Sequence, residues 1–109
     1  MLRVIVESPY AGDMERNIRY ARAAVRDCVL RGEAPIASHL LFTQPGILRD
    51  EVPEERTLGI EAGLAWAPVA DASVFYVDLG WSRGMEGAHA RAKIEGRPVV
   101  IRRIPGWEG

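Results

Sequence analysis

The sequence predicts a small α/β domain of the doubly wound, Rossmann-like or flavodoxin-like kind, with about four parallel strands in three layers. Three observations predict it. Strand-like and helix-like segments alternate as β-α-β-α-β-α-β along the chain. Successive strands are separated by enough residues for a helical crossover, which parallel pairing needs. The composition, 48% hydrophobic and 27% charged over 109 residues, is that of one globular domain with one core.

The elements follow in order. Leu2-Arg3-Val4-Ile5-Val6-Glu7 is β-branched and bounded by Ser8-Pro9, which reads as the first strand. After the loop Tyr10-Ala11-Gly12, Asp13 is placed to cap a helix from Met14 to Arg31. Its apolar stripe is Ile18, Ala21, Ala24, Val25, Cys28 and Val29, and Gly32 stops it. Pro35 to Phe42 reads as a second extended run, followed by the turn Thr43-Gln44-Pro45-Gly46, with residues 47–52 ambiguous. Pro53 starts a second helix, with Glu54 and Glu55 favourably set against its dipole. Leu58, Ala62, Ala65, Trp66 and Val69 form the stripe of that helix, while Gly59 and Gly63 share another face. Either that glycine face meets something closely (another helix, a subunit or a ligand) or the helix is simply weak. Ala72 to Asp78 is the clearest buried strand, Ser82 caps a third helix through Glu95, and Arg97 to Arg102 is the fourth strand. A short tail closes the chain from Ile104 to Gly109.

The whole-chain numbers exclude several classes. A net charge of -1 gives no field to recruit nucleic acid or an anionic membrane. No apolar run approaches the roughly 20 residues of a membrane span, and the opening residues read as a strand rather than a leader. The single cysteine, Cys28, allows no intrachain disulfide and fits a reducing compartment, so a cytoplasmic location is expected. Two isolated histidines and one cysteine make no metal pattern, and no cofactor fingerprint occurs; no metal and no cofactor are expected.

Topology alone locates a ligand site. In a doubly wound sheet, ligands bind outside the carboxyl ends of the strands, which brings together Ser8–Asp13, His39–Gly46 and Asp78–Glu86. Glu86 lies in the first turn of the third helix, where free N–H groups and the dipole favour a carboxylate. That position is explained equally by helix stability. With Asp78 at the end of the preceding strand and Tyr10 on the adjacent loop, the cleft holds two carboxylates and a phenol, a set capable of glycosidic chemistry. His39 could donate a proton, bind a ligand or make a structural hydrogen bond. Trp81 could stack on a base or pack internally. Arg83, beside the helix start, is placed for a phosphate or for solvent.

Two segments carry a family resemblance. Ser8-Pro9-Tyr10-Ala11-Gly12 is similar to the aromatic-plus-glycine loop of the nucleoside 2-deoxyribosyltransferase-like proteins. Gly84-Met85-Glu86-Gly87-Ala88-His89-Ala90, followed by Gly96-Arg97-Pro98-Val99, resembles their glutamate-bearing helix start and last strand. The sequence is also similar to short bacterial and phage proteins sharing Ser-Pro-Tyr, Ser-His-Leu-Leu and Asp-Leu-Gly segments. The resemblance implies a nucleoside or nucleotide substrate, with Glu86 as the nucleophile of a glycosyl-enzyme intermediate. It further implies that Tyr10 positions the carboxylate or sugar and that Asp78 handles a hydroxyl or proton. Ser8, Gly12, His39, Trp81, Ser82, Arg83 and Gly84 would then bind ligand, and the working unit would be a homodimer or higher oligomer.

Two departures matter. Gly80 occupies the position, six before the nucleophile, where that family usually has an acid. The chain also closes soon after the fourth strand, which favours hydrolysis over transfer. A non-catalytic nucleotide-binding or sensing module on the same fold is the alternative expectation.

Overall fold

In a computed structural model, which describes residues 1–108, the predicted α/β class is realised as a four-stranded, all-parallel sheet with flanking helices. Gly109, the end of the expected tail, lies outside the described residues. The elements are β1 (Arg3–Glu7), α1 (Met14–Leu30), β2 (Ala34–Ile36), the short α2 (Ser38–Leu41), α3 (Pro53–Ala65), a 3-10 turn (Ala67–Val69), β3 (Ala72–Tyr76), α4 (Arg83–Ile94) and β4 (Val99–Arg102). The strand order is β2-β1-β3-β4, so the order reverses at β1. Right-handed crossovers then place α1 on one face of the sheet and α3 and α4 on the other.

Side chains alternate across each strand. Val4, Val6, Val74 and Tyr76 face α1 and pack with Tyr20, Ala24 and Cys28. On the opposite face, Phe75 and Val77 pack with Met85 of α4, and Ala88 and Val99 close the cluster. Cys28 is fully buried, as its place in the helical stripe predicts. The stripe itself is shifted: Asn17 and Tyr20 are buried in it, whereas Val29 is exposed. Hydrogen bonding accounts for the burial of those two polar side chains. Tyr20 donates to Asp78, and Asn17 Nδ2 donates to the carbonyls of Tyr10 and Ala11, 3.0 Å from each.

One partly buried ion pair spans the α1 side of the sheet. Arg102 of β4 grips Glu33 bidentately, at 2.7 and 2.6 Å, and also donates to the Tyr76 hydroxyl. The guanidinium holds the Glu33 carboxyl below its ordinary range. The Tyr76 hydroxyl donates to Asp27 Oδ2 at 2.6 Å, so the polar groups near Cys28 are mutually satisfied.

Two sequence expectations are corrected. The second extended run ends at Ile36, and Ser38 to Leu41 turn into α2, placing His39 on a helix rather than at a strand end. Thr43 Oγ1 and Gln44 Nε2 donate back to carbonyls of that turn, at 2.8 Å each, and hold it helical. The second correction concerns α3. Leu58, Ala65, Trp66 and Val69 of its expected buried stripe are exposed, and α3 has no fully buried residue. Its glycine face meets the protein instead. A Cβ on Gly63 would lie 2.6 Å from Ser38 Oγ, and one on Gly59 would lie 3.3 Å from Leu48. The close partner of the Gly59/Gly63 face is therefore α2 and the segment after it, within the same chain.

Candidate functional site

The carboxyl ends of β1 and β3, together with the starts of α1, α2 and α4, form one end of the molecule. Asp13 caps α1 by accepting from the Arg16 N–H at 3.2 Å. Gly12 carries the left-handed turn (φ 97°) that lets the chain enter that helix. Asn17 clamps the loop from below, which fixes the backbone at Tyr10. Tyr10 opens onto a cleft of about 640 Å³, also lined by Met14, Thr43, Gly46, Arg49 and Glu55. A second cavity, between the 3-10 turn and the segment from Glu95 to Pro98, lies at the opposite, amino-terminal end of the strands.

Ser8 and His39 are brought together. The Ser8 hydroxyl and His39 Nε2 are 2.7 Å apart, joining the end of β1 to α2. Burial pushes the His39 imidazole down to about 4, so it is neutral at pH 7. A serine beside a neutral histidine is the geometry of an activated nucleophile. Here, however, Ser8 is only 6% exposed, and the next residue, Pro9, has no N–H to stabilise an oxyanion. The pair suits a clamp or a hydrogen-bonding contact better than acyl chemistry.

Asp78 has a different setting. Its Oδ2 accepts from the Tyr20 hydroxyl at 2.7 Å and from the Ile104 N–H at 2.8 Å, tying β3 to α1 and to the C-terminal tail. Burial and the Asp78 carboxylate push the Tyr20 phenol upwards, so it remains a donor. Trp107 packs edge-on against Tyr20, their ring centroids 4.9 Å apart.

At α4, Ser82 caps the helix by accepting from the Met85 N–H at 3.2 Å. Arg83, Gly84 and Glu86 are exposed in its first turn. Trp81 stacks on the buried Phe75 at 5.2 Å, and His89 meets both rings edge-on. Trp81 keeps 40% of its surface open. Glu86, Trp81 and Asp78 are not among the residues lining the Tyr10 cleft. Gly80 adopts φ 84° and has no side chain to offer. The described residues contain no cluster of His, Cys, Asp and Glu that could hold a metal. No described helix is long and apolar enough to cross a membrane.

Sequence reasoning missed Glu7. It ends β1 beside Phe75 in register, on the face opposite α1. Its carboxylate accepts no hydrogen bond among the described residues, and burial pushes it up to about 7 against the pull of Arg97. The signal was present in the alternation: Val4 and Val6 point to one face, so Arg3, Ile5 and Glu7 must share the other.

Fold and site thus define a doubly wound α/β domain whose polar groups gather at the strand carboxyl ends, around the point where strand order reverses. A family described as a domain of unknown function (DUF7768) matches residues 2–102, and the chain belongs to it. Among solved structures it is similar to a 2-deoxyribosyltransferase from the psychrotolerant bacterium Bacillus psychrosaccharolyticus. The TM-score is 0.66 at 18% identity, and the match covers 98% of this chain and 76% of that one. The likeness establishes a shared fold. The comparison with curated proteins gave no match.

Proposed function

We propose that the protein acts on a nucleoside or nucleotide and cleaves its N-glycosidic bond through Glu86. The observation that carries this reading is an exposed glutamate in the first turn of α4, at the strand carboxyl ends of a fold shared with a 2-deoxyribosyltransferase. A carboxylate there attacks the anomeric carbon, and water then releases the sugar from the glycosyl-enzyme intermediate. A 2-deoxy sugar suits the mechanism, because the oxocarbenium-like transition state is easier to reach without an electron-withdrawing 2-hydroxyl. Tyr10 would position the sugar, Trp81 would stack on the base, and Ser82, Arg83 and Gly84 would receive a hydroxyl or phosphate at the helix start. Ser8, Gly12 and His39 would shape the opposite wall. The test is release of free base from a panel of 2′-deoxynucleosides and their monophosphates, followed by chromatography. Release from at least one substrate is expected; binding without release from any would contradict an enzyme.

A second reading, a nucleotide-binding or sensing module, is favoured by one observation. Gly80 provides no side chain, and Asp78 is already engaged by Tyr20 and Ile104. Calorimetric binding to Glu86→Ala as tight as to wild type, with no turnover by either, is the pattern this reading predicts.

The same proposal makes the working unit a homodimer. Leu58, Ile60 and Trp66 on and just after α3 are each at least half exposed, in a helix with no buried residue of its own. A 13-residue helix gains little stability from propensity alone, and pairing with a second copy would cover these exposed apolar side chains. Light scattering should give the mass of two chains, falling to one on Trp66→Glu. A wild-type mass of one chain overturns the dimer.

A further inference from the structure

Cleaving a C–N glycosidic bond leaves an electron pair on the departing base, and that base needs a proton. Two proton carriers at this end of the molecule are already engaged: Asp78 Oδ2 receives two hydrogen bonds, and His39 Nε2 is bonded to Ser8. His89 differs from both. It lies in α4 three residues after Glu86, so the two side chains are neighbours on the helix surface, with Cβ atoms about 5–6 Å apart. Retaining glycosidases hold the nucleophile and the proton-carrying group at a similar separation, about 5–5.5 Å. The His89 ring also meets Trp81, the candidate base platform, with centroids 5.5 Å apart and planes at 87°. The buried Phe75 backs both rings, 5.2 Å from Trp81 and 5.5 Å from His89. The imidazole is thus within one side-chain length of both the nucleophile and the platform. No described residue hydrogen-bonds the ring, and neither of its nitrogens is buried, so both stay open to a ligand.

We propose that His89 is the general acid of this site, giving its proton to the departing base as Glu86 takes up the sugar; this rests on the reading of Glu86 above. Histidine is the side chain most often used to carry a proton to and from a reacting group. A Glu86 oxygen forms a bond to C1′ as the C1′–N bond breaks. The bond's electron pair goes to the base, which takes the His89 proton and leaves neutral, and His89 becomes the neutral imidazole. Water then attacks C1′, and the C1′–O bond to Glu86 breaks with its electron pair returning to the carboxylate. The proton lost by the water goes to His89. The two steps sum to nucleoside plus water giving base plus sugar, with Glu86 and His89 restored. The roles follow from placement: Trp81 carries the base, Glu86 receives the sugar, and His89 is next to both.

The test compares two substrates whose bases differ in their need for a proton, in single turnovers with enzyme in excess. 2′-Deoxyguanosine needs one on departure, whereas 7-methyl-2′-deoxyguanosine carries a cationic base that leaves without one. His89→Phe keeps an aromatic ring against Phe75 and Trp81 and has no proton to give. It should slow base release from the first substrate by about 10²-fold or more, and from the second by no more than about threefold. His89→Gln, which keeps a polar side chain and loses the ring, should show the same contrast, so the result does not depend on one variant folding. A purely structural role for His89 would slow both substrates alike. Glu86→Ala should slow both by about 10³-fold or more. Equal slowing of the two substrates by the His89 variants, or slowing of neither, overturns the acid role and leaves Glu86 standing. An unaffected Glu86→Ala removes the nucleophile reading and this proposal with it, and wild type releasing neither base overturns both.

Discussion

Replacing Glu86 with alanine, or with the near-isosteric glutamine, is expected to lower base release by about 10³-fold or more, the scale seen when a covalent nucleophile is removed. Glutamine is the sharper variant. It keeps the shape of the side chain, and its amide nitrogen and carbonyl oxygen cannot form the glycosyl ester. Neither change should unfold the helix, because the α4 cap is made by Ser82 Oγ with Met85 N–H and by the Glu86 backbone N–H with Ser82 O. The side chain contributes only its interaction with the dipole, about 0.3–1 kcal/mol. Chromatographic assay and a thermal melt of the same samples separate lost chemistry from lost structure.

Glu7→Gln is expected to make the protein more stable at neutral and alkaline pH, which is an unusual direction for a change at a partly buried position. Glu7 is raised from 4.5 to about 7 in the folded chain, so the folded state holds its proton where the unfolded state has released it. The cost of ionising it is absent below pH 4.5, grows as pH rises towards 7 and is fully present above. A shift of that size corresponds to about 3 kcal/mol, and glutamine, which never ionises, is free of it. Urea denaturation at several pH values should therefore show the variant gaining on wild type by that amount between about pH 4 and pH 8. His39 acts in the opposite window. Its depressed value of about 4 makes wild-type stability fall as pH drops from 6.5 to about 4. A Glu7→Gln difference that does not vary with pH would show that Glu7 is ionised normally.

The legibility of this chain follows from what each signal measures. Alternating strand and helix patterns gave the class, because crossover length and handedness depend on pattern alone. The Asp13 and Ser82 caps were readable because N-caps are local chemistry. Where tertiary contacts decided, reading failed. Leu40 and Leu41 suit a strand or a helix equally, and the Thr43 and Gln44 hydrogen bonds tipped them into α2. In α3 the large apolar residues set the apparent stripe, yet the glycines turned inwards, since a side chain at Gly63 would collide with Ser38 and one at Gly59 would crowd Leu48. The apolar stripe of α1 does not mark Tyr20 and Asn17 as buried; their partners, Asp78 and the Tyr10 loop, decide it.

The candidate site was legible in the same uneven way. Glu86 and Trp81 could be located from loop position, whereas the Ser8–His39 contact joins residues 31 apart in sequence and carries no local signature. Glu7 was hidden because a glutamate at a strand end reads as solvated; only the parity of Val4 and Val6 turns it away from α1.

The measurement that bears most directly on the account is the intact mass of the protein after incubation with a 2-deoxy-2-fluoroarabinosyl nucleoside, whose fluorine slows breakdown of a glycosyl ester. The expected result is one added fluorosugar per chain, mapped by peptide fragmentation to Glu86 and absent from Glu86→Gln. Base release with no adduct at Glu86, or an adduct on another residue, would contradict it.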